Sequence, residues 1–293
     1  MRQKKNLLND LSGREWIKFT KSWFIHNPPS RKRDELLHPA KFPETLVEEF
    51  IRFFTKPGQV VLDPFAGTGS TLVAAAQSGR RGIGVELVQR YAHIARERAD
   101  RAACLFAQRG GNGAHSNGNG GHADSPGSGL SPLVITGDAR NLVGLLREQS
   151  VTQVDYCITS PPYWNQLQRH SLRQQNRFSQ SLDTQYSLDP RDLGNIQGYE
   201  EFLAEQKAIF DAVYEVMRVG GYLTVITNNV YTDGRLHPLA FDTLATLART
   251  WVPKDERIWL QDDKALLPLG AYSAWVGNRH HQYCMICRKE ERQ

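Results

Sequence analysis

Residues 59–79 read QVVLDPFAGTGSTLVAAAQSG, and this stretch decides the fold. Val60, Val61 and Leu62 form a short apolar run, the pattern of a strand buried in a parallel sheet. Asp63 ends the run. A turn containing Gly67 and Gly69 follows, where missing side chains let the backbone bend tightly and approach a ligand. The alanine-rich segment behind it reads as a helix that stops at Gly79. GIGVEL, residues 82–87, reads as a second strand in which Glu86 stands at the end. Strand, glycine turn, helix and strand open a doubly wound sheet, whose ligands bind at the carboxyl ends of the strands. An acid in the position of Glu86 can accept hydrogen bonds from a ribose diol. An acid in the position of Asp63 suits a ligand that is cationic there, such as one bearing an α-amino group. The turn lacks the lysine of a phosphate-binding loop and the GxGxxG of a dinucleotide fold.

The pattern continues outward in both directions. Upstream, Leu46, Val47, Phe50, Ile51 and Phe54 follow helical spacing behind Pro43, and Lys56-Pro57-Gly58 breaks that helix. Downstream, a helix is predicted from about Val88 to Phe106. Residues 109–129 hold eight of the chain's 24 glycines and no large apolar residue, so a disordered Gly/Asn/Ser-rich insert is expected at about 109–130. Strands are expected at 133–138, at 154–159 and at 222–227 after Gly220-Gly221. The segment EEFLAEQKAIFDAVYEVMR reads as an amphipathic helix, and HQYCMICRK as a final strand. Together these predict one α/β domain built on a doubly wound sheet.

The 293 residues, 40% hydrophobic and 23% charged, fit an ordinary globular chain and exclude collagen, coiled coil and wholesale disorder. No apolar run approaches the roughly 20 residues of a membrane span, and the basic N-terminus has no apolar core behind it, so no secretory signal is expected. Four cysteines point to a reducing cytosol rather than a disulfide framework. Of the net charge of +5, residues 1–41 carry ten Lys/Arg against four Asp/Glu. Residues 1–37, with Trp16, Phe19, Trp23 and Phe24, are therefore expected as a basic aromatic arm suited to a polyanion, and residues 38–293 as the main domain.

A second motif stands at the end of the strand 154–159: Thr159-Ser160-Pro161-Pro162-Tyr163-Trp164. Two prolines fix the backbone and leave carbonyls without local donors. Ser160 adds a hydroxyl, and Tyr163 and Trp164 add flat faces. Acceptors for an NH2 beside a stacking surface suit a planar ring that carries an exocyclic amine.

With both motifs present, the chain resembles the amino-directed DNA methyltransferases of the N4-cytosine/N6-adenine group. The resemblance implies a single doubly wound Rossmann-like methyltransferase sheet with a final antiparallel strand, and S-adenosylmethionine as cofactor. Asp63-Pro64-Phe65-Ala66-Gly67-Thr68-Gly69, with Ser70 and Thr71, matches the family's cofactor loop, and Ser160-Pro161-Pro162-Tyr163 its catalytic tetrapeptide. His38-Pro39-Ala40-Lys41-Phe42-Pro43 resembles the segment that closes over the methionine end of the cofactor. Glu86 falls on the ribose-binding acid, and Asp138 with Ala139 on the adenine end. Asn278 and His280 fall near the last strand, where the family holds the target base. Trp164 and Tyr231 are further candidates for that base pocket.

The implied reaction moves the cofactor's methyl to an amine on a base flipped out of double-stranded DNA. Relatives that modify cytosine N4 mostly carry Ser at the position of Ser160, and those that modify adenine N6 mostly carry Asp. Cytosine N4 is therefore expected, with adenine N6 the alternative. An RNA methyltransferase and an inactive DNA-binding relative stay open behind these. A cognate restriction endonuclease, a homodimer and a cytoplasmic, nucleoid-associated location complete the expectations. The cofactor loop precedes the tetrapeptide here, whereas many relatives start at the tetrapeptide and end with the loop, so a permuted motif order is expected for this chain. Only the arm and residues 165–197 and 229–279 remain to read DNA sequence. No metal is expected: Cys284 and Cys287 point to opposite faces of a strand, and adjacent His280 and His281 cannot share one ion on an extended backbone.

Overall fold

The computed structural model describes residues 6–27, 42–111, 130–166, 183 and 187–291. The expected insert lies outside the described residues from 112 to 129, as do His38 and Lys41. The main sheet is built from β1 (Trp23–Ile25), β2 (Val60–Asp63), β3 (Arg81–Glu86), β4 (Leu133–Thr136), β5 (Val154–Thr159) and β6 (Met217–Thr227). After a small hairpin, β7 (Val230–Thr232) with β8 (Arg235–His237), it is completed by β9 (Val252–Leu260) and β10 (His281–Arg288). The order across its eight strands is β1-β9-β10-β6-β5-β2-β3-β4. Strands β4, β3, β2, β5 and β6 run parallel, and β10 lies antiparallel between β6 and β9. The doubly wound α/β sheet with an antiparallel last strand is thus present.

Two apolar layers enclose this sheet. On one face lie α2 (Glu44–Phe54), α3 (Ser70–Gln77) and α4 (Gln89–Gly111). Phe50, Phe54, Ala74 and Ala75 there meet Val61, Tyr156, Ile158 and Ile226. On the other lie α5 (Leu142–Glu148), α6 (Tyr199–Val216) and α7 (Leu239–Leu247). Phe210, Val213, Leu146 and Trp251 there meet Leu62, Cys157, Leu223 and Val225. Alternation along the strands assigns each residue its face. Each fully buried Phe or Leu contributes about 1.5–3 kcal/mol of burial. Cys284 joins the first layer and Cys287 the second, opposite faces as their spacing requires.

The described part of the expected arm, residues 6–27, is folded. Ser12 caps α1 (Gly13–Phe19) in a reciprocal box with Glu15. Phe19 then stacks on Phe53 with centroids 4.0 Å apart, and Trp16 lies 4.8 Å from the same ring. β1 pairs in parallel with β9. The buried Arg257 guanidinium sits 4.0 Å from the Phe19 ring and donates to the Lys21 carbonyl. Residues 6–27 are therefore an edge of the main domain, because aromatics scattered in sequence find one greasy helix, α2. No helix among the described residues is long and apolar enough to cross a membrane.

Candidate active site

Four strand ends converge where the sheet reverses its order. β2 and β5 are neighbours, with β3 and β4 running outward on one side and β6 on the other. Ligands of such sheets bind at this switch point. The cleft there encloses about 850 Å³ including its open mouth. Phe42, Pro64, Phe65, Ala66, Gly67 and Ser70 line it beside Glu86, Asp138 and Ala139, and Ser160 and Pro162 complete its wall. The two sequence motifs, some 90 residues apart in the chain, thus face one cavity.

The glycine loop at 63–69 is held from inside. Asp63 is buried and turns away from the cleft. Its carboxylate accepts from Thr71 Oγ1 at 2.6 Å, Thr159 Oγ1 at 2.6 Å and the Phe65 amide at 3.0 Å. Burial raises its pKa against those hydrogen bonds. Asp63 and Thr71 thus hold each other and the loop, and neither lines the cleft. Gly69 is likewise a packing residue. Its φ is +84°, and a Cβ there would lie 2.9 Å from the Ala95 Cα. Arg98 of α4 adds a clasp, donating to the Thr68 carbonyl and to Glu44 of α2.

Glu86 does face the cleft. Its two oxygens accept from the Gly67 amide at 2.7 Å and the Val88 amide at 2.8 Å. Burial pushes its pKa up to about 7 in spite of these donors. Ser70 lines the same wall, and its buried hydroxyl makes no hydrogen bond among the described residues. A buried hydroxyl without a partner normally costs energy unless a ligand meets it. Asp138 caps a short 3-10 turn, Ala139–Asn141, accepting from the Arg140 amide at 2.9 Å, while the Arg140 side chain bridges Asp138 and Glu205.

Ser160 and Pro162 line the cleft at the end of β5. Ser160 Oγ lies 3.1 Å from Tyr163 Oη, which donates to Gln282 Oε1 of β10 at 2.7 Å. The other base-pocket expectations fare differently. Trp164, at φ +50°, turns inward and packs against Tyr199 and His237, its indole donating to the Gln197 carbonyl at 3.1 Å. Asn278 pins the loop before β10 by pairing both ways with the Leu267 backbone at 2.8 Å. His280 gives its carbonyl to the Gln261 amide, and Tyr231 is half-exposed on β7; neither lines the cleft. Pro43 is the N-cap of α2 and lies outside the lining, as does Pro161.

Sequence reasoning missed several wall residues. Leu87, Val88 and Tyr91 follow Glu86, and Arg191, Asp192 and Leu193 close the opposite side. Asp192 is buried, accepts from the Gly194 amide at 2.8 Å, and has its pKa raised by burial. The Asp-Leu-Gly turn at 192–194 was a legible cap inside a stretch expected only to read DNA.

Residues 2–97 match the sequence profile of a family described as DNA methylase. Over 113 residues the chain is 35% identical to the orphan methyltransferase M.BamHII of Bacillus amyloliquefaciens, covering 38% of this chain and 41% of that one. Over 71 residues it is 41% identical to the DNA adenine methyltransferase YhdJ of Escherichia coli, covering 24% of each. The chain thus spans less than half the length of these relatives. Among solved structures, TrmN from Thermus thermophilus superposes with a TM-score of 0.50 at 15% identity, over 88% of this chain and 52% of that one, a likeness of fold.

Proposed function

We propose that this protein, whose residues 2–97 match the profile of a family described as DNA methylase, transfers a methyl from S-adenosylmethionine to the N4 amine of a cytosine flipped out of duplex DNA. The observation that carries the reading is the shared cleft: Ser160 of one motif opens onto the same cavity as Gly67, Ser70 and Glu86 of the other. The residues present fit the cofactor. Glu86 offers a carboxylate to a ribose diol, the Ser70 hydroxyl awaits a partner, and Phe42, Leu87 and Val88 supply apolar walls. When bound, S-adenosylmethionine supplies an electrophilic methyl group.

The chain's own groups do the rest. An exocyclic amine is a poor nucleophile because its lone pair is delocalised into the ring. Ser160 Oγ, which lines the cleft, accepts one of its N–H bonds and helps turn the lone pair out of conjugation. Holding the amine in line with the methyl then supplies much of the acceleration, with effective molarities of ~10^5 M or more. Tyr163 offers a ring face to the base. On the DNA side, the loop between β9 and β10 presents Tyr272 and Trp275, both almost fully exposed, as stacking surfaces.

Adenine N6 is the second reading, favoured by the similarity to the adenine methyltransferase YhdJ. The test of substrate class is a panel of duplex DNA, single-stranded DNA and RNA offered with methyl-labelled S-adenosylmethionine. Label entering duplex DNA supports the proposal, and label entering RNA alone overturns it.

A further inference from the structure

Beyond the residues that line the cleft, a chain of polar side chains runs from it into the β9–β10 edge. Lys264 donates to Gln261 Oε1. Gln282 Nε2 donates to that same oxygen at 3.4 Å, and Gln282 Oε1 accepts from Tyr163 Oη at 2.7 Å. Tyr163 Oη lies 3.1 Å from Ser160 Oγ. The direction of every proton in this chain follows from its far end. An ammonium has only donors, so the Gln261 side chain must turn its oxygen toward Lys264. Gln282 meets that oxygen with its NH2 and therefore presents its carbonyl to Tyr163. The phenol must then donate to Gln282, which leaves the phenol oxygen to accept from Ser160.

We propose that Gln282, oriented by Gln261 and Lys264, is a positioning residue that draws the Ser160 proton toward Tyr163 and leaves the Ser160 lone pairs facing the cleft. A free serine hydroxyl donates as readily as it accepts, and a donor turned toward an NH2 would oppose the bond the reaction needs. The relay makes a neutral serine behave as an acceptor. It rests on the methyl-transfer reading above and adds the residue that fixes the polarity of that site.

The test compares Gln282→Met, which keeps length and loses the acceptor, with Gln282→Glu, which keeps an acceptor for the phenol. Turnover at saturating DNA and cofactor is expected to fall about ten- to a hundredfold in Gln282→Met, with both KM values within about threefold of wild type. Gln282→Glu is expected to recover most of that loss. In a Ser160→Ala background, Gln282→Met is expected to cost less than about twofold more. Wild-type turnover in Gln282→Met, or equal losses in Met and Glu, would overturn the proposal. A second readout needs no substrate: protein labelled with 13C at the tyrosine ζ carbon, with the Tyr163 signal assigned through Tyr163→Phe. Loss of the acceptor in Gln282→Met moves that signal upfield, and the stronger acceptor in Gln282→Glu moves it downfield. Movement in one direction in both variants would overturn the assigned polarity. If wild type transfers no methyl, the function above fails, and the signal still decides the relay.

Discussion

Thr159 Oγ1 donates to Asp63 Oδ1 across 2.6 Å, joining the residue before Ser160 to the residue that opens the cofactor loop. The bond crosses between β5 and β2, the two strands at the switch point. Asp63 also accepts from Thr71 at the start of α3, so one buried carboxylate ties both motifs to a helix. The relative placement of the two motifs is therefore fixed in the core, away from solvent.

Removing that tie should cost stability first. Asp63→Ala leaves two buried hydroxyls without their acceptor, and the expected loss is about 2–4 kcal/mol. Denaturant unfolding checks this. A variant as stable as wild type, with only cofactor affinity reduced, would return Asp63 to a ligand role.

The pH dependence of cofactor binding should follow Glu86, whose pKa stands at about 7. Ribose hydroxyls donate to the ionised carboxylate, so affinity should rise as pH rises through 7. Between pH 6 and 8 an increase of roughly five- to tenfold is expected, and Glu86→Gln should flatten it. The stability effect has the opposite sign. A carboxyl whose folded pKa lies above its unfolded value near 4.5 binds extra protons in the native state. The ligand-free protein should therefore lose stability from about pH 4.5 to 7 and level off above. Calorimetric titration with S-adenosylhomocysteine, and melting in buffer alone, read the two effects separately.

Gly69→Ala should destabilise through geometry alone. The new Cβ meets Ala95 at 2.9 Å, and the left-handed φ adds strain. A loss of about 1–3 kcal/mol is expected, with α4 pushed off α3. A melting temperature equal to wild type would contradict this packing.

Trp275→Ala tests the proposed DNA face. The residue is 92% exposed, so unfolding free energy should change by less than about 0.5 kcal/mol. Loss of a stacking surface should raise the KM for duplex DNA about tenfold and leave cofactor affinity alone. An unchanged KM would remove this loop from the DNA contact.

The parallel half of the sheet was legible because its strands are buried on both faces. Apolar runs such as Val60–Leu62 and Tyr156–Ile158 need no partner to be recognised. Residues 252–260 hid β9, since its first four residues, Val252-Pro253-Lys254-Asp255, are exposed, and only Arg257 and Trp259 are buried. The β7–β8 hairpin carried a local signal: Asp233 and Gly234 both take positive φ, as a two-residue hairpin turn requires. At the site, residue type marked the two motifs but could not say which acceptors were already used. Asp63 looks like a ligand in sequence, and in the fold it accepts from Thr71 and Thr159. Trp164 looks like a stacking face and is turned inward by one left-handed residue. Gln282 contributes through a contact 119 residues away from Tyr163, which no local pattern encodes.

The most direct measurement of the central claim is the fate of a labelled methyl. The purified protein is incubated with S-adenosylmethionine carrying a deuterated methyl and with duplex DNA from a host that lacks methylation, and the DNA is digested to nucleosides for mass spectrometry. The account predicts deuterated N4-methyldeoxycytidine, reduced strongly in Ser160→Ala at unchanged cofactor affinity. Deuterated N6-methyldeoxyadenosine as sole product would contradict the cytosine assignment, and no deuterated nucleoside from a folded, cofactor-binding protein would contradict the account as a whole.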